Sequence, residues 1–395
     1  MKTILDLLKK QAVGLGITFG SLILVFFLHS RGAFDPFELK AIDLAFKTRG
    51  PLSGWMARQE IPKDSLDVVL VDVDDESYRL VPWTWPYPRS VWGMVVRNLS
   101  KAGAKVIVFD IQFDAPDRQS EYLDEVRSSL QARGLGELVP AHGDSVFAEA
   151  IMDVQSNGTS VILASKLVQE PTRIPPQYIQ YPNAILKSAN ADYGLVNEDP
   201  DTDGFSRQYY TFMTIEESDT LYPTLGLKAV QNFLDIPDTT MTSFDEDKTK
   251  LYYGPLAIPM FSYPGRFLVN IYGPASSQNI SGYEAWKTFN RYPLSNVVDV
   301  EDVDLNDFDE DTDWMSQFLP GEIPQWLKEI EDAETRAQLM EELGLGTDFD
   351  ITQSPFYNKI VLIGVSVEVL HDFKQTSFFT FARKQNLLPG VEFHA

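Results

Sequence analysis

The sequence predicts an α/β fold with a mostly parallel central sheet flanked by helices, preceded by one N-terminal transmembrane helix. Three observations support this prediction. An uncharged apolar run lies near the N-terminus, short apolar runs alternate with helical segments from Asp67 onward, and 44% of the 395 residues are hydrophobic. That content is enough for a sizeable core, and the alternation is typical of βαβ units.

The predicted transmembrane helix occupies residues 12–29, and residues 1–11 are predicted to be cytoplasmic. The core of this helix is an uncharged run of seventeen residues, which is at the short end for a helix that crosses a bilayer. Lysines before the run predict that the N-terminus stays in the cytoplasm. They are Lys2, Lys9 and Lys10.

A cleaved signal peptide is the alternative interpretation of this run. Signal peptides have a shorter apolar core followed by small residues at the cleavage site, and Ser30 and Gly32 match that pattern loosely. In both interpretations the chain after about Ser30 is exported. The predicted localisation is therefore the inner or plasma membrane, with the main domain extracytoplasmic.

Residues 30–66 are predicted to hold a juxtamembrane helix and a linker. Apolar residues at helical spacing begin at Phe37, and Gly50-Pro51 ends the helix. Later elements follow from short apolar runs and helical periodicity. In chain order they are a strand at 67–74, a helix from Ser90, the strand KVIVFDIQF, a helix at 145–154, a strand at 160–165, the strand RQYYTFMT, a helix at 221–233, and the strands RFLVNIYG and NKIVLIG.

Residues 298–354 are predicted to be an insertion within a domain at 67–395. The first part, DVEDVDLNDFDEDTD, is dominated by acidic residues and is expected to be a solvated loop. The second part is expected to be a docking helix that ends in Gly344. Its apolar face would carry Leu327, Ile330, Ala337, Met340 and Leu343.

Composition excludes several classes of function. The 57 acidic and 33 basic residues give a formal charge of −24, which argues against a nucleic-acid partner. There are no cysteines and only four histidines, so thiolate sites are excluded and a zinc hydrolase would need scattered ligands. No cofactor is predicted.

Acidic residues follow the predicted parallel strands, where ligands bind in open α/β sheets. Arg89 would supply a basic partner at this edge, either in a buried ion-pair network or in a ligand pocket. The aromatic tract before it, which includes Trp85, would serve either packing or recognition. The candidate edge comprises Asp72, Asp74, Ser77, Trp85, Arg89, Asp110 and Asp372.

No catalytic residue is predicted. The segment LIGVSVE resembles a nucleophile elbow, but Glu368 stands where the second glycine is needed. This disfavours a serine hydrolase that would use His371 or His394.

The stretch NEDPDTDGFSR places Asp199, Asp201 and Asp203 at alternate positions, as in a calcium-binding loop. The twelfth position of such a loop needs a bidentate glutamate, and this chain has Tyr210 there. Calcium is therefore a weak hypothesis. The preferred interpretation is a sharp turn at Asp203-Gly204 that orients Arg207.

In this order, several motifs resemble the CHASE2 family of extracytoplasmic sensory domains. The matching pieces are FELKAIDLAFKTRG, VVLVDVDDES, WTWPYPRSVWGMVVRNLSKAGAKVIVFDIQF, DYGLVNEDPDTDGFSR, FLVNIYGP, KIVLIGVSVEVLHD and LPGVEFHA. They cover nearly the whole chain except 298–354 and the loops around 121–143. The acidic insertion departs from the family pattern, as does Tyr87, where the family often has tryptophan.

The resemblance implies an N-terminal transmembrane helix, further membrane helices after the domain, and a cytoplasmic output module. Such modules are often class III adenylate or guanylate cyclases, otherwise kinases or diguanylate cyclases. The hypothesis is therefore a sensor for an unknown small-molecule or protein stimulus, expected to be a homodimer because such output modules act as dimers. A cell-envelope interaction or structural module is the alternative, and an exported hydrolase is a third.

Overall fold

The structure is a computed structural model, which describes residues 2–49, 66–216, 218–261, 265–278, 287–307, 312–319, 327, 330, 332–342, 350–367, 370 and 372–395. Several predictions fall outside the described residues. These are the linker at 50–65, the helix end at Leu343 and Gly344, and the side chains of Glu368 and His371.

The described helices are α1 (Lys2–Ser30), α2 (Asp35–Arg49), α3 (Asp75–Leu80), α4 (Arg89–Lys101), α5 (Arg118–Gln131), α6 (Gly143–Ser156), α7 (Ala184–Lys187), α8 (Leu225–Phe233), α9 (Leu294–Val298), α10 (Ala333–Glu342) and α11 (Gly390–His394). The described strands are β1 (Val68–Val73), β2 (Val106–Phe109), β3 (Ser160–Gln169), β4 (Gln177–Gln180), β5 (Asp192–Leu195), β6 (Gln208–Tyr210), β7 (Phe212–Met213), β8 (Tyr222–Pro223), β9 (Thr242–Phe244), β10 (Lys250–Tyr253), β11 (Leu256–Pro259), β12 (Arg266–Leu268), β13 (Asn290–Pro293), β14 (Ile360–Val365), β15 (Phe373–Lys374), β16 (Thr380–Phe381), β17 (Lys384–Gln385) and β18 (Leu388–Pro389).

Within the described chain, a central sheet of seven strands has the order β13-β1-β14-β2-β3, followed by β4 and β5, which both pair with β3. All of its pairings are parallel except that of β3 with β4. The predicted α/β fold is confirmed. Runs such as VVLVDV and IVLIGV are almost wholly buried because helices cover both faces of the sheet.

The two faces carry separate cores because side chains alternate along each strand. One face, here called the α4 face, packs against α4, α6 and α9. The other, the α8 face, packs against α8 and α11. The α4-face strand residues are Val69, Val71, Val73, Ile107, Phe109, Val161, Leu163, Val361 and Ile363. The α8-face strand residues are Leu70, Val106, Val108, Ile162, Ile360 and Leu362.

The helix α11 lies directly on the α8 face at Gly364 of β14. A Cβ atom placed on Gly364 would lie 2.5 Å from Cβ of Val391 in α11. Glycine is therefore required here by close approach, since the helix and the strand leave no room for a side chain.

The N-terminal region consists of α1 and α2, joined by a short turn. Over the described residues no single helix is both long and apolar enough to cross a membrane. The stretches Gly14–Ser30 and Asp35–Arg49 meet that criterion only as a pair, and they are bent by 74°. The anchor at 12–29 therefore remains a prediction.

The loop expected in the first part of 298–354 is solvated only in part. Glu301, Asp302 and Asp304 are exposed, but Val300, Val303 and Leu305 between them are buried in the α4-face core, as are Met315 and Leu319 after the acidic run. The buried carboxylate of Asp299 accepts hydrogen bonds from the backbone N–H groups of Asp313 and Trp314, at 3.2 and 2.8 Å. The described residues of this segment therefore contribute to the core layer beside α9.

The docking helix predicted in the second part of 298–354 also differs. The observed α10 begins only at Ala333, so Leu327 and Ile330 precede it, and Leu327 is fully buried. Within α10, Ala337 is exposed and Met340 is half-buried. The predicted apolar face is therefore not one continuous helical stripe.

Two other predicted elements are shorter than expected. The strand RQYYTFMT is divided into β6 and β7, and β8 pairs with β7, so α8 begins at Leu225. In RFLVNIYG only β12 is a strand, and it pairs with β6.

We predict that Gly364→Ala destabilises the protein by about 1–3 kcal/mol, because the added methyl group overlaps Val391 and pushes α11 from the sheet. Equilibrium urea unfolding, followed by circular dichroism, measures the change. The second variant Val391→Gly removes all three side-chain atoms that Gly364→Ala would meet, the Cβ at 2.5 Å and the methyl groups at 2.7 and 3.3 Å. In that background Gly364→Ala should be less destabilising, and strictly additive effects would contradict the proposed contact.

Candidate functional site

The candidate site is the polar layer that surrounds α11 at the carboxyl end of the sheet. Asp72 of β1 pairs in register with Gly364 of β14. Asp110 follows Phe109, the register partner of Ile363, so it lies level with Gly364 on the other side. Two buried aspartates thus flank the glycine on which α11 rests.

On the β1 side, Asp72 is bound by an arginine that no sequence motif identifies. Arg291 of β13 donates from Nε to Oδ2 of Asp72 at 2.6 Å and from Nη2 to Oγ of Ser366 at 3.2 Å. Burial raises the pKa of Asp72 to about 6, although Arg291 opposes the shift. Arg291 and Asp72 therefore form a buried, charge-assisted pair.

Glu392 of α11 is held on the same side by Ser276. The Glu392 carboxyl accepts from the backbone N–H of Ser276 at 2.9 Å and from its hydroxyl at 2.7 Å. Burial raises the pKa of Glu392 to about 7, against the effect of these hydrogen bonds. The protonated and ionised forms are therefore close in free energy near neutral pH.

On the β2 side, Asp110 faces His394 of α11. The His394 ring Nε2 lies 3.8 Å from Oδ1 of Asp110, and its Nδ1 lies 2.5 Å from the Tyr209 hydroxyl oxygen. Burial raises the pKa of Asp110 to about 7 and lowers that of His394 to about 4. The low dielectric surroundings thus favour a neutral carboxyl and a neutral imidazole.

The predicted residue Asp372 continues this side of the polar layer. Its carboxylate lies 3.3 Å from Nζ of Lys374, which also lies 2.8 Å from Glu198. The Glu198 carboxylate accepts a hydrogen bond from the Ser206 hydroxyl. Ser206 precedes Arg207 in the chain, so the layer reaches the acidic turn.

Arg207 is buried and joins the turn to α2. Its Nε and Nη2 donate to the two carboxylate oxygens of Asp43 in α2, each at 2.8 Å. It also donates to Asp201 at 2.9 Å, and to the two oxygens of Asp203 at 2.8 and 2.9 Å. Gly204 has φ of +81° at this turn. The hydrogen bonds from Arg207 lower the pKa of Asp203.

The structure separates Arg89 from the aspartates with which the sequence grouped it. Arg89 lies on the α4 face, where its Nε is 3.5 Å from Asp144 and its guanidinium lies 4.5 Å from the centre of the Phe113 ring. Asp72 and Asp110 point to the other face. The prediction that they share an ion pair with Arg89 is wrong because Arg89 begins α4, which packs on the α4 face, whereas alternation along β1 and β2 turns Asp72 and Asp110 to the α8 face.

Other predicted residues have local structural roles. Asp74 caps α3 by accepting from the backbone N–H of Ser77 at 2.9 Å and from its hydroxyl at 2.8 Å. Trp85 packs against the α4-face core and lies 5.3 Å from Tyr87, ring centre to ring centre. This agrees with packing as the interpretation of the aromatic tract.

The three aspartates of the calcium hypothesis contact arginines. Asp201 and Asp203 bind Arg207, and Asp199 lies 3.1 Å from Nη2 of Arg266. Asp199 also accepts from the Tyr210 hydroxyl at 2.6 Å. Among the residues that the structure describes, no group of three or more His, Asp or Glu side chains is arranged to hold a metal.

The sequence did not identify Arg291, Glu392, Ser276 or Tyr209 as site residues. Each meets its partner across more than a hundred residues of chain, as with Glu392 and Ser276, which are 116 apart. The motif LPGVEFHA, which contains Glu392 and His394, was noted only as part of the family resemblance. The signal that could have identified it is the pair of ionisable residues inside a short apolar segment.

These features define an α/β domain in which buried and half-buried polar side chains form a layer from α11 to α2. The model of the CHASE2 domain family matches residues 20–395, and the chain belongs to this family. CHASE2 domains are extracytoplasmic, non-catalytic sensory domains of membrane proteins. No curated protein and no solved structure matches the chain.

We predict that Glu392→Gln makes stability less dependent on pH. Because burial raises the pKa of Glu392 from 4.5 to about 7, folding favours its protonated form. This contribution is complete below about pH 4.5 and is lost as pH rises through about 7. Between those pH values the wild type loses this contribution and the variant does not. The free energy of unfolding of the variant should therefore rise relative to that of the wild type by on the order of 3 kcal/mol.

Urea unfolding of both proteins across this pH range measures that difference in the free energy of unfolding. The glutamine side chain keeps a carbonyl oxygen that can accept a hydrogen bond from Ser276, as the Glu392 carboxyl does. Glu137→Gln, at an exposed position, is the matched control and should follow the wild-type profile. A difference between wild type and Glu392→Gln that stays constant with pH would contradict the assigned role.

We predict that Asp43→Asn loosens α2 from the domain without unfolding it. The change weakens the two charge-assisted hydrogen bonds from Arg207 to residue 43, while Arg207 still binds Asp201 and Asp203. We expect the attachment of α2 to lose about 2 kcal/mol. Hydrogen exchange read by mass spectrometry should show amides of α2 exchanging roughly tenfold faster or more. Asp35→Asn, on an exposed side chain of the same helix, should leave α2 protected. Equal exchange in the two variants would show that the Arg207 contact does not hold α2.

Proposed function

We propose that this chain is the signal-sensing part of a membrane-bound bacterial receptor, whose state controls a cytoplasmic output module. The observation that carries the proposal is the CHASE2 match over residues 20–395. By resemblance, the favoured output is a class III adenylate cyclase. The full-length protein would then be an enzyme, whereas this chain senses.

The proposed membrane anchor is supported by the side chains of α1. Large apolar residues are exposed along this helix, including Leu22 at 62% and Phe26 at 73%. Such a surface in water is unfavourable, and a lipid environment would cover it. With lysines at its start, the N-terminus would lie in the cytoplasm and the main domain outside, at the inner or plasma membrane.

The proposed signal route is supported by the contacts at the two ends of the domain. Arg207 fastens α2, which follows α1, to the domain body. The polar layer continues from Ser206 through Glu198 and Lys374 toward Asp110 and His394 of α11. A stimulus that shifts α11 would change the surroundings of groups connected to α2. Sensing of this kind needs two states with different ligand affinity and no catalysis.

A homodimer is part of the proposal, because the output modules expected from the resemblance act as dimers. The alternative of an envelope interaction module relied on the aromatic tract and the acidic segment. Trp85 packs against the core, and Val300, Val303 and Met315 are buried in it. Both features therefore have roles in packing, and the sensor is the better-supported function.

We predict that residues 1–395, fused through a second transmembrane helix to a class III adenylate cyclase domain, set the output of that domain. In a bacterial strain without its own cyclase, cyclic AMP should change when residues 67–395 are deleted. Asp43→Asn should shift the output toward that of the deletion because the α2 contact is weakened. Asp35→Asn is the matched control and should behave as the intact fusion. Identical output from the intact fusion, the deletion and Asp43→Asn would overturn the proposal.

A further inference from the structure

We propose that the apolar cavity beside α11 binds a small, uncharged molecule with an apolar body and a hydrogen-bonding group, and that this molecule is a stimulus of the receptor. The second half of this inference rests on the proposed function. The first half concerns binding alone and is tested separately.

The cavity has the size and lining of a small-molecule site. Its volume is about 390 Å³, within the range in which proteins enclose drug-sized ligands. Apolar side chains from α8, β11 and β12 form most of the wall. The principal ones are Leu227, Val230, Leu256, Ile258 and Phe267. A ligand would therefore gain most of its affinity from apolar contact.

Six residues with polar side chains also belong to the lining, and groups among them would set the ligand's orientation. They are Tyr209, Asn270, Tyr272, Thr288, Glu392 and His394. Among the described lining residues none is a lysine or an arginine, and the one acidic residue is Glu392. An anion would find no cation in the lining itself and a carboxyl group beside it, so the lining disfavours an anion.

The position of the cavity connects it to both ends of the domain. One wall is α11, through Glu392, Phe393 and His394. The lining also includes Asn270 and Ile271, whose side-chain and backbone oxygens accept hydrogen bonds from the guanidinium of Arg49 in α2 at 2.6 and 2.5 Å. A ligand in this cavity would contact α11 and the segment that α2 binds. It would thus favour one arrangement of the two helices.

Photoaffinity labelling of the full chain in lipid nanodiscs tests the binding. The probe is a trifluoromethyl-diazirinyl benzyl alcohol, which is neutral, mostly apolar and has one hydroxyl group. The control is the corresponding benzoic acid, which has the same body and an anionic group. Adducts are located by peptide mass spectrometry.

We expect the alcohol to label peptides that contain the cavity walls, at 225–233, 265–278 and 386–395, about tenfold more than the acid does. Labelling should saturate with probe concentration. Val230→Trp should reduce it by about tenfold, because the indole fills the cavity. Leu234→Trp introduces the same group at an exposed position just after α8 and should leave labelling unchanged.

Ile258→Trp fills the cavity from β11 and decides the outcome if Val230→Trp fails to fold, as judged by circular dichroism. Labelling that spreads evenly over the chain, that is equal for alcohol and acid, or that persists in both filling variants would overturn the binding proposal. If the alcohol labels the cavity but does not change the output of the cyclase fusion, the proposal that the ligand is a stimulus is overturned. The proposal that the cavity binds such a molecule would then still stand. The deletion of residues 67–395 tests the receptor function separately, because cyclic AMP is measured there without any probe. Unchanged output in that test would count against the receptor function and would say nothing about binding in the cavity.

Discussion

The close contact between α11 and Gly364 organises the functional half of this domain. The helix rests on β14, the middle of three neighbouring strands. The residues level with Gly364 on either side are Asp72 and Asp110, and their side chains are only 2% and 8% exposed. A buried carboxylate is unfavourable unless it is paired or neutral. The two sides meet this requirement differently, since Arg291 pairs with Asp72, whereas Asp110 faces a neutral imidazole and has its pKa raised to about 7. The position of one glycine thus determines where ionisable groups must be compensated.

The helices α2 and α11 are each attached to the domain by directional polar contacts in addition to buried apolar side chains. In α2, Phe46 is buried, but the more directional contact is the pair of bonds from Arg207 to Asp43. In α11, Val391 packs on the sheet while Glu392 and His394 point into polar surroundings. Directional polar contacts are strong when complete and lose much of their value when the geometry shifts. Under the proposed function, attachments of this kind would allow the domain to change between two arrangements.

The sequence was sufficient for the fold class because buried parallel strands leave short apolar runs such as VVLVDV and KIVLIG, with helical segments between them. It was also sufficient for the turn at Gly204, where the residue types limit the backbone conformation. It was insufficient for contacts between distant segments. Arg207 meets Asp43 across 164 residues, and which face of the sheet Arg89 occupies depends on the path of α4. The first part of 298–354 was expected to be solvated because acidic residues dominate its composition. That composition does not show that Val300, Val303 and Leu305 are buried.

The cavity beside α11 and the polar layer beneath it are two consequences of one arrangement. Glu392, Phe393 and His394 of α11 line the cavity together with residues of α8 and of 269–273, while Glu392 and His394 also contact or face the polar groups Ser276 and Asp110. Glu392 belongs to both, because it lines the cavity and is held by Ser276. A molecule that fills the apolar space would therefore stabilise the helix position in which the Glu392 hydrogen bonds are complete. Under the proposed function, occupancy of the cavity and the state of the polar layer are coupled through this residue, and a non-catalytic domain needs only such a coupling to act as a sensor.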